Sequence, residues 1–333
     1  MRDGVSYPLL LAGLCLTTVV LFVVSLLTGP AGISFFESLD ALLSGRGGAA
    51  AIVMQEIRLP RAILGVLIGA SLGLSGAALQ GYLRNPLAEP GLLGISSSAS
   101  LGAVLAIYTG LSAVFPLALP LMALAGAVGA VLLVRLLAGR GAQAITLILA
   151  GVAVTSFAGA MTSLALNLSP NPFAALEIVF WMLGSLKDRS MTHVWLSLPF
   201  ILVGWAMLFQ VGRALDALTL GEAAAATLGF RLERVQALVV LGTASCVGAA
   251  TSVAGAVGFI GLVVPHILRP LVGGQPGRLM PASALGGAAV LLAADIAVRV
   301  IAPERDLKLG VLTALVGAPF FLWLIFKLKR EAA

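Results

Sequence analysis

The 333-residue chain is poor in charged residues, in cysteine and in histidine. Only 10% of its residues are Asp, Glu, Lys or Arg, whereas a soluble domain usually has about 25%. A water-soluble fold of this size needs polar groups to cover its surface, so the deficit excludes soluble enzymes, nucleic-acid-binding domains and disordered scaffolds. The net charge of +6 does not restore nucleic-acid binding, because the cytoplasmic loops of membrane proteins also collect Lys and Arg.

Residues that bind metals or carry out catalysis are equally scarce. The two cysteines, Cys15 and Cys246, each lie in an apolar run without a motif partner, which argues against a disulfide framework. The two histidines, His193 and His266, lack the spaced ligands of a catalytic zinc site. No lysine follows a glycine-rich phosphate-binding loop. We therefore expect no catalytic residue, no metal and no cofactor bound by this chain.

Apolar residues, in contrast, make up 60% of the sequence and form long continuous runs. A membrane-spanning helix needs about 20 such residues, whereas the strands of a membrane barrel alternate over about ten. The sequence predicts an all-α polytopic membrane protein with one transmembrane domain over residues 1–333 and about ten helices. Residues 29–60 and 168–192 are interpreted as loops. The predicted spans are 7–27, 61–80, 92–109, 114–137, 143–167, 194–211, 235–253, 256–271, 280–299 and 309–327; the first is too long for a cleaved signal peptide.

Ten spans place both termini on one side of the membrane. Twelve Lys and Arg fall on that side and eight on the other, so the positive-inside rule predicts that both termini are cytoplasmic. Arg58, Arg61 and Arg299 lie at predicted outer helix ends, where insertion does not favour them. These arginines either reach the outer-leaflet phosphates or form a docking patch for an acidic partner.

Two segments indicate more than simple spans and connectors. Residues 212–234 predict a short helix, a glycine turn and a second short helix, with Gly229 at the helix C′ position. Such an element either docks a soluble subunit or lies on the membrane surface. Residues 251–266 combine three glycines with Pro265, which predicts a broken or re-entrant helix of the kind that lines a cavity.

One carboxylate, Asp295, lies within a predicted span. Carboxylates inside the membrane are candidates for proton relays. The alternative is an ion pair with Arg299, four residues later on the same helix. The relay interpretation, through Asp295 or Glu89, corresponds to a proton-driven secondary transporter. An intramembrane enzyme would need a paired acid, metal ligand or nucleophile, and the sequence offers Asp295 no such partner.

Ordered motifs from about residue 50 to residue 328 give the chain a family resemblance. The sequence resembles the permease subunit of the ABC importers that take up iron–siderophore complexes, haem and vitamin B12. The segments that carry the resemblance are Arg58-Leu-Pro-Arg61, Gly76-Ala-Ala-Leu-Gln80, Asn85-Pro-Leu-Ala-Glu-Pro-Gly-Leu-Leu-Gly94, Leu149-Ala-Gly-Val-Ala153, Phe180-Trp-Met-Leu-Gly-Ser185, Leu220-Gly-Glu222 with Leu228-Gly229, Gly255 to His266, Ala294-Asp295 and Gly310-Val-Leu-Thr-Ala-Leu-Val-Gly-Ala-Pro319.

The resemblance implies a homodimer of ten-helix subunits in the inner membrane, with its pathway lined by the fifth helix. It also implies two ATP-binding subunits, which hold ATP and Mg, and a periplasmic or lipid-anchored substrate-binding protein. The implied pathway residues are Thr155, Ser156, Met161, Ser163 and Asn167. The implied ATPase-coupling residues are Leu220, Gly221, Glu222, Ala223, Leu228 and Gly229, and the implied docking residues for the binding protein are Arg58, Arg61 and Arg299.

In the vitamin B12 permeases a cytoplasmic gate combines an Asn-Pro-Leu turn with a small polar pair at the start of the fifth helix. The matching positions here are Asn85 and Leu87 for the turn, and Ala144 and Ile145 for the pair, where this chain is apolar. The resemblance therefore implies an ATP-driven importer permease for an iron complex, a ferric siderophore or haem, with vitamin B12 as the alternative cargo.

Overall fold

A computed structural model describes residues 6–29, 33–44, 48–139, 143–169, 172–302 and 305–332. The described residues form helices and connecting turns, with no strand among them. The α-helices are α1 Tyr7–Leu27, α2 Phe35–Ser44, α3 Ala49–Ile52, α4 Leu59–Tyr82, α5 Ile95–Tyr108, α6 Leu111–Val114, α7 Ala118–Ala138, α8 Ala144–Asn167, α9 Pro172–Met182, α10 Met191–Phe209, α11 Gly212–Leu218, α12 Glu222–Thr227, α13 Leu232–Ala254, α14 Ile260–Leu268, α15 Pro276–Ile301 and α16 Leu309–Ala332.

The all-α membrane architecture is confirmed, but the count of full-length spans differs from the prediction. Within the described ranges, eight helical segments are long and apolar enough to cross a membrane. Two of the ten predicted spans are shorter, since α5 has 14 residues and α14 has nine, extended by a 3-10 turn to Val272. Sequence windows of apolar residues cannot distinguish a full span from a shorter helix that is flanked by apolar turns.

The two long predicted loops were wrong in large part. Residues 49–82 form one continuous helical rod, in which a π-helical turn, Val53–Arg58, joins α3 to α4. Ala41 and Met54 are buried with Leu26 at the end of α1, so apolar packing stabilises helices in a segment that contains several charges. In the second loop α9 begins at Pro172, which suits the first helical position because proline has no N–H to satisfy there.

The centre of the bundle consists of α4 and α13. Most of the spanning part of each is buried, whereas α1 and α16 are mostly exposed at the periphery. Small residues let α4 lie against α15 with backbones in contact, as the glycine spacing predicted. A Cβ on Gly69 would overlap the carbonyl oxygen of Gly287, and one on Gly73 would overlap that of Ser283.

Candidate translocation pathway and coupling surface

The predicted helix–turn–helix element at 212–234 is confirmed. Between α11 and α12 the backbone turns at Gly221, where φ is +103°, and α12 is followed by Gly229, where φ is +89°. Such positive φ values are open to glycine and strained for other residues. Leu220 and Leu228, at the two ends of α12, are 72% and 63% exposed. We call residues 212–229 the coupling segment; it exposes two large apolar side chains, those of Leu220 and Leu228.

The coupling segment is fixed to the membrane helices by polar contacts. The Gly277 amide, in the first turn of α15, donates a hydrogen bond of 2.8 Å to the Asp216 carboxylate. This contact satisfies an amide that a helix N-terminus leaves unpaired. Arg84, just after α4, forms an exposed ion pair of 3.2 Å with Glu222 of α12. The coupling segment thus contacts the start of α15 through α11 and the turn after α4 through α12.

One of the four predicted gate residues, Ala144, lies beside this segment. A cavity of about 190 Å³ is lined by Arg84, Ala144, Glu222 and neighbouring residues of α4 and α13. Asn85 caps its own turn, because its side-chain oxygen accepts a 2.9 Å hydrogen bond from the Leu87 amide. Ile145 is 64% exposed at the start of α8. The structure thus brings Ala144 and the residue before Asn85 together with α12.

Three of the five predicted pathway residues share one exposed face of α8. Ser156, Ser163 and Asn167 are exposed, and their spacing places them in line along the helix. Thr155 and Met161 are half-buried and lie off that line. We call the line of Ser156, Ser163 and Asn167 the polar stripe.

The opposite face of α8 is apolar and packs inside the protomer. Its buried residues are Leu147, Ala150, Gly151, Val154, Ala158, Thr162 and Ala165. Polar side chains on a spanning helix rarely face lipid and usually face another helix or water. The polar stripe therefore favours either a second protein surface or an aqueous path beside α8.

The structure places the three predicted docking arginines inside the protomer. Arg58 is 4% exposed, and the side chains of Arg61 and Arg299 are 14% and 9% exposed. Asp295, 1% exposed, accepts bonds from Arg61 Nε and Nη2 at 2.9 and 2.8 Å and pairs with Arg299 Nη2 at 2.8 Å. The predicted Asp295–Arg299 pair is thus confirmed. The Arg61 contact, 234 residues apart, is one that local spacing could not predict.

Two of these arginines, Arg58 and Arg299, also bond the last carbonyl groups of α1, which a helix C-terminus leaves unpaired. Arg299 Nη1 donates to the carbonyl oxygens of Ser25 and Thr28, both at 2.8 Å. Arg58 Nη1 donates to those of Leu26 at 3.0 Å and Leu27 at 3.3 Å. Arginines at this end of the bundle therefore join α1, α4 and α15. The docking of a binding protein on them stays a prediction, and in this conformation they offer it little exposed surface.

The predicted helix break is confirmed between α13 and α14. Residues 255–258 are not helical, and Phe259, the residue before α14, has a φ of +68°. Glu89 Oε1 accepts a 2.8 Å bond from the Phe259 amide. Gln80 Nε2 donates to the Gly261 and Leu262 carbonyl oxygens, both at 3.4 Å. Glu89 thus satisfies an amide that the start of α14 leaves unpaired, and Gln80 bonds carbonyl groups in the first turn of α14.

An exposed ionic contact joins two turns at the arginine-bearing end. Asp306, before α16, pairs with Lys308 and lies 3.7 Å from Lys187 after α9. The hydrogen bond from the Lys308 ammonium lowers the pKa of the Asp306 carboxyl, and Lys187 adds to the effect. Across the described residues no group of three or more His, Cys, Asp or Glu is arranged to hold a metal ion. The polar contacts described here cap helix ends and pair charges between helices.

Comparison with known proteins identifies this arrangement. The FecCD transport family matches residues 17–327, which is most of the chain. The chain belongs to this family. The chain is similar to the cobalamin import system permease protein BtuC of Halobacterium salinarum, which is 42% identical over 83% of this chain and 74% of that protein. The Fe(3+) dicitrate permease FecD of Escherichia coli is 37% identical over 83% of this chain and 86% of its own length.

A solved structure agrees with the same assignment. An ABC transporter assigned to the metal-chelate type, solved in an inward-facing conformation, superposes with a TM-score of 0.85 at 31% identity. The match covers 96% of this chain and 99% of the other. This FecCD protein is therefore a multi-pass membrane permease of an ABC importer, a transport component and not itself an enzyme.

Proposed function

We propose that two copies of this permease form the translocation pathway of an ATP-driven importer for an iron complex, a ferric siderophore or haem. The polar stripe on α8 carries the proposal, because three exposed polar side chains on a spanning helix need a partner other than lipid. In the homodimer the stripes of the two copies face a shared pathway. Both termini lie in the cytoplasm, as the excess of positive charge on that side supports.

ATP hydrolysis, with its Mg, takes place on two separate subunits that dock on the coupling segment. Leu220 and Leu228 supply the apolar contact, and Asp216 passes the movement to the start of α15. Arg84 and Glu222 pass it to the turn that carries Asn85 and Leu87. Closure of the ATPase pair then shifts the two permease copies between outward-open and inward-open arrangements, a rigid-body switch at an interface. A substrate-binding protein delivers the cargo on the other side of the membrane.

The choice of an iron complex over vitamin B12 has specific support at the gate. The vitamin B12 permeases place a small polar pair where this chain has Ala144 and Ile145, and Ile145 is largely exposed here. Relatives named for each cargo have similar identity, 42% for BtuC and 37% for FecD. Vitamin B12 remains the second candidate cargo. Proton-driven transport through Asp295 has no support in the geometry, because two arginines hold that carboxylate.

Reconstitution tests the function and the cargo together. The permease, its ATPase and its binding protein are placed in liposomes, and ferric siderophores, haem and vitamin B12 are offered in turn. We expect ATP-dependent uptake of an iron complex. Uptake of vitamin B12 alone would replace the cargo, and uptake that follows a pH gradient without ATP would overturn the importer mechanism.

A second experiment isolates the coupling segment. Leu220→Ser and Leu228→Ser remove exposed apolar side chains, so the fold should be kept while ATPase binding and cargo-stimulated hydrolysis are lost. The matched control is Leu111→Ser, which removes an exposed leucine from α6 at the other end of the bundle. Normal co-purification of the ATPase with both coupling variants would contradict the proposed docking surface.

A third experiment examines the polar stripe. In a chain with Cys15→Ala and Cys246→Ala, we expect Ser163→Cys to react with a membrane-impermeant maleimide and to be protected by transported cargo. Leu132→Cys on the exposed apolar face of α7 is the control and should react slowly, since it faces lipid. Equal reactivity at the two positions would argue against a water-filled path beside α8.

A further inference from the structure

A basic cavity lies between α7 and α13 at the end of the bundle that carries the coupling segment. Its volume is about 380 Å³, and its lining includes three arginines, Arg135, Arg231 and Arg234, with one carboxylate, Glu233. All three arginines are exposed, and among the described residues none of them has a side-chain hydrogen bond or an ion pair. Three arginines and one carboxylate give the lining of the cavity a formal charge of +2.

An apolar groove of about 210 Å³ runs between the same two helices and also touches α10. It is lined by Val128, Val131, Leu132, Phe200, Leu241 and Ala244. The groove lies within spanning segments, where its surroundings are hydrocarbon. It therefore offers a place for an acyl chain rather than for water or a polar ligand.

The cavity and the groove follow one another along α7 and α13, and we call the two together the α7–α13 cleft. On α7, Arg135 of the cavity lies one helical turn after Val131 of the groove. On α13, Val240 lines the cavity and the next residue, Leu241, lines the groove. A site with an anion-binding head and an adjoining apolar slot at the membrane boundary has the chemistry of a phospholipid. A soluble phosphate or an acidic peptide would use the arginines but leave the groove unexplained.

We propose that the α7–α13 cleft binds one anionic phospholipid, with its phosphodiester headgroup among Arg135, Arg231 and Arg234 and one acyl chain in the groove. Basic pockets at the ends of spanning helices suit anionic headgroups, because each Arg near the surface adds attraction to the phosphate. The site needs only the membrane location of the chain, and it is independent of the cargo and of the proposed import cycle. Because Arg234 follows the coupling segment closely, a bound lipid would fix the start of α13 beside it.

Lipid titration of the purified permease, followed by native mass spectrometry, tests the proposal. The probes are phosphatidylglycerol, phosphatidylcholine with the same acyl chains, and inorganic phosphate. We expect phosphatidylglycerol to bind selectively. The affinity of the double variant Arg135→Gln with Arg234→Gln for phosphatidylglycerol should be at least about tenfold lower. Arg213→Gln is the matched control, because it removes an exposed arginine of α11 at the same end of the bundle, outside the cavity.

A groove variant separates a lipid from a free anion. Val128 is 57% exposed in the groove, so Val128→Trp should fill the slot and weaken phosphatidylglycerol binding with little effect on folding. Melting temperatures without added lipid check that each variant is folded, and Arg135→Gln alone replaces the double variant if that one is unstable. Equal binding of phosphatidylcholine, an equal loss in Arg213→Gln, or phosphatidylglycerol binding that Val128→Trp leaves unchanged would overturn the proposal.

Discussion

Asp216 and Asp295 each hold one end of α15, but in different surroundings. Asp216 is partly exposed and caps the helix start through one amide, that of Gly277. Asp295 is buried near the helix end and accepts bonds from Arg61 of α4 and from Arg299, which also bonds carbonyl groups at the end of α1. The first contact ties α15 to a surface element, and the second ties three membrane helices together. We call the contacts of Asp295 with Arg61 and Arg299 the anchor, and the contact of Asp216 with Gly277 the joint.

Removal of the anchor should have the largest effect. Asp295→Ala leaves Arg61 and Arg299 without their carboxylate, and an uncompensated buried charge costs about 3–5 kcal/mol. We expect a large drop in melting temperature in detergent and poor expression. Asp306→Ala, which removes a half-exposed carboxylate near the same end, is the control and should change little. A stable Asp295→Ala protein would show that the arginines are held mainly by the α1 carbonyl groups.

Disruption of the packing between α4 and the middle of α15 should have the second largest effect on stability. Gly73→Leu places a side chain where the Ser283 carbonyl of α15 already lies, and overpacking of this kind costs about 1–3 kcal/mol. We expect a lower melting temperature and weaker contact between α4 and α15. At Gly129 on α7, by contrast, a Cβ meets no atom within 4 Å, so Gly129→Leu should be tolerated. Equal losses in the two variants would point to helix propensity or insertion, not to the α4–α15 contact.

Loss of the joint should affect coupling more than stability. Asp216→Ala removes the bond to Gly277, and loss of a helix N-terminal capping contact costs about 1 kcal/mol. We expect a small shift in melting temperature but a clear fall in cargo-stimulated ATPase activity in the reconstituted importer. Asp216→Asn, which keeps a hydrogen-bonding oxygen, should recover part of that activity. If both variants hydrolyse ATP and transport normally, the joint does not transmit movement.

The exposed pair of Arg84 and Glu222 should matter least for stability. Exposed ion pairs contribute about 0–1 kcal/mol and are screened by salt. Arg84→Gln should therefore leave the melting temperature within about 1 °C to 2 °C of the unmodified protein. Any effect on ATPase stimulation should shrink as the salt concentration rises. A large loss of stability would mean that Arg84, whose φ is +50°, has a structural role in its turn.

The sequence predicted well wherever a local property decides the structure. Gly221 and Gly229 mark the turns of the coupling segment because few other residues adopt their backbone angles. Gly255, where φ is +72°, likewise marked the break before α14, whereas Pro265 lies inside α14 and does not end it. The buried Asp295–Arg299 pair follows from helix periodicity alone. Predictions failed where burial decides, as in residues 35–44 and 172–182, whose helices depend on packing against distant segments.

The candidate sites likewise combine features that follow from local sequence with features that depend on tertiary packing. From the sequence alone, composition determined the membrane environment, and glycine positions determined where helices turn and approach each other. Only the tertiary structure decided that Arg58 and Arg299 bond the end of α1 and that Arg61 bonds Asp295. It also decided that Ser156, Ser163 and Asn167 are exposed while Thr155 and Met161 are half-buried. The physical reason is that exposure and ion pairing depend on helices brought together from far apart in the chain, and no local pattern records which helix lies opposite.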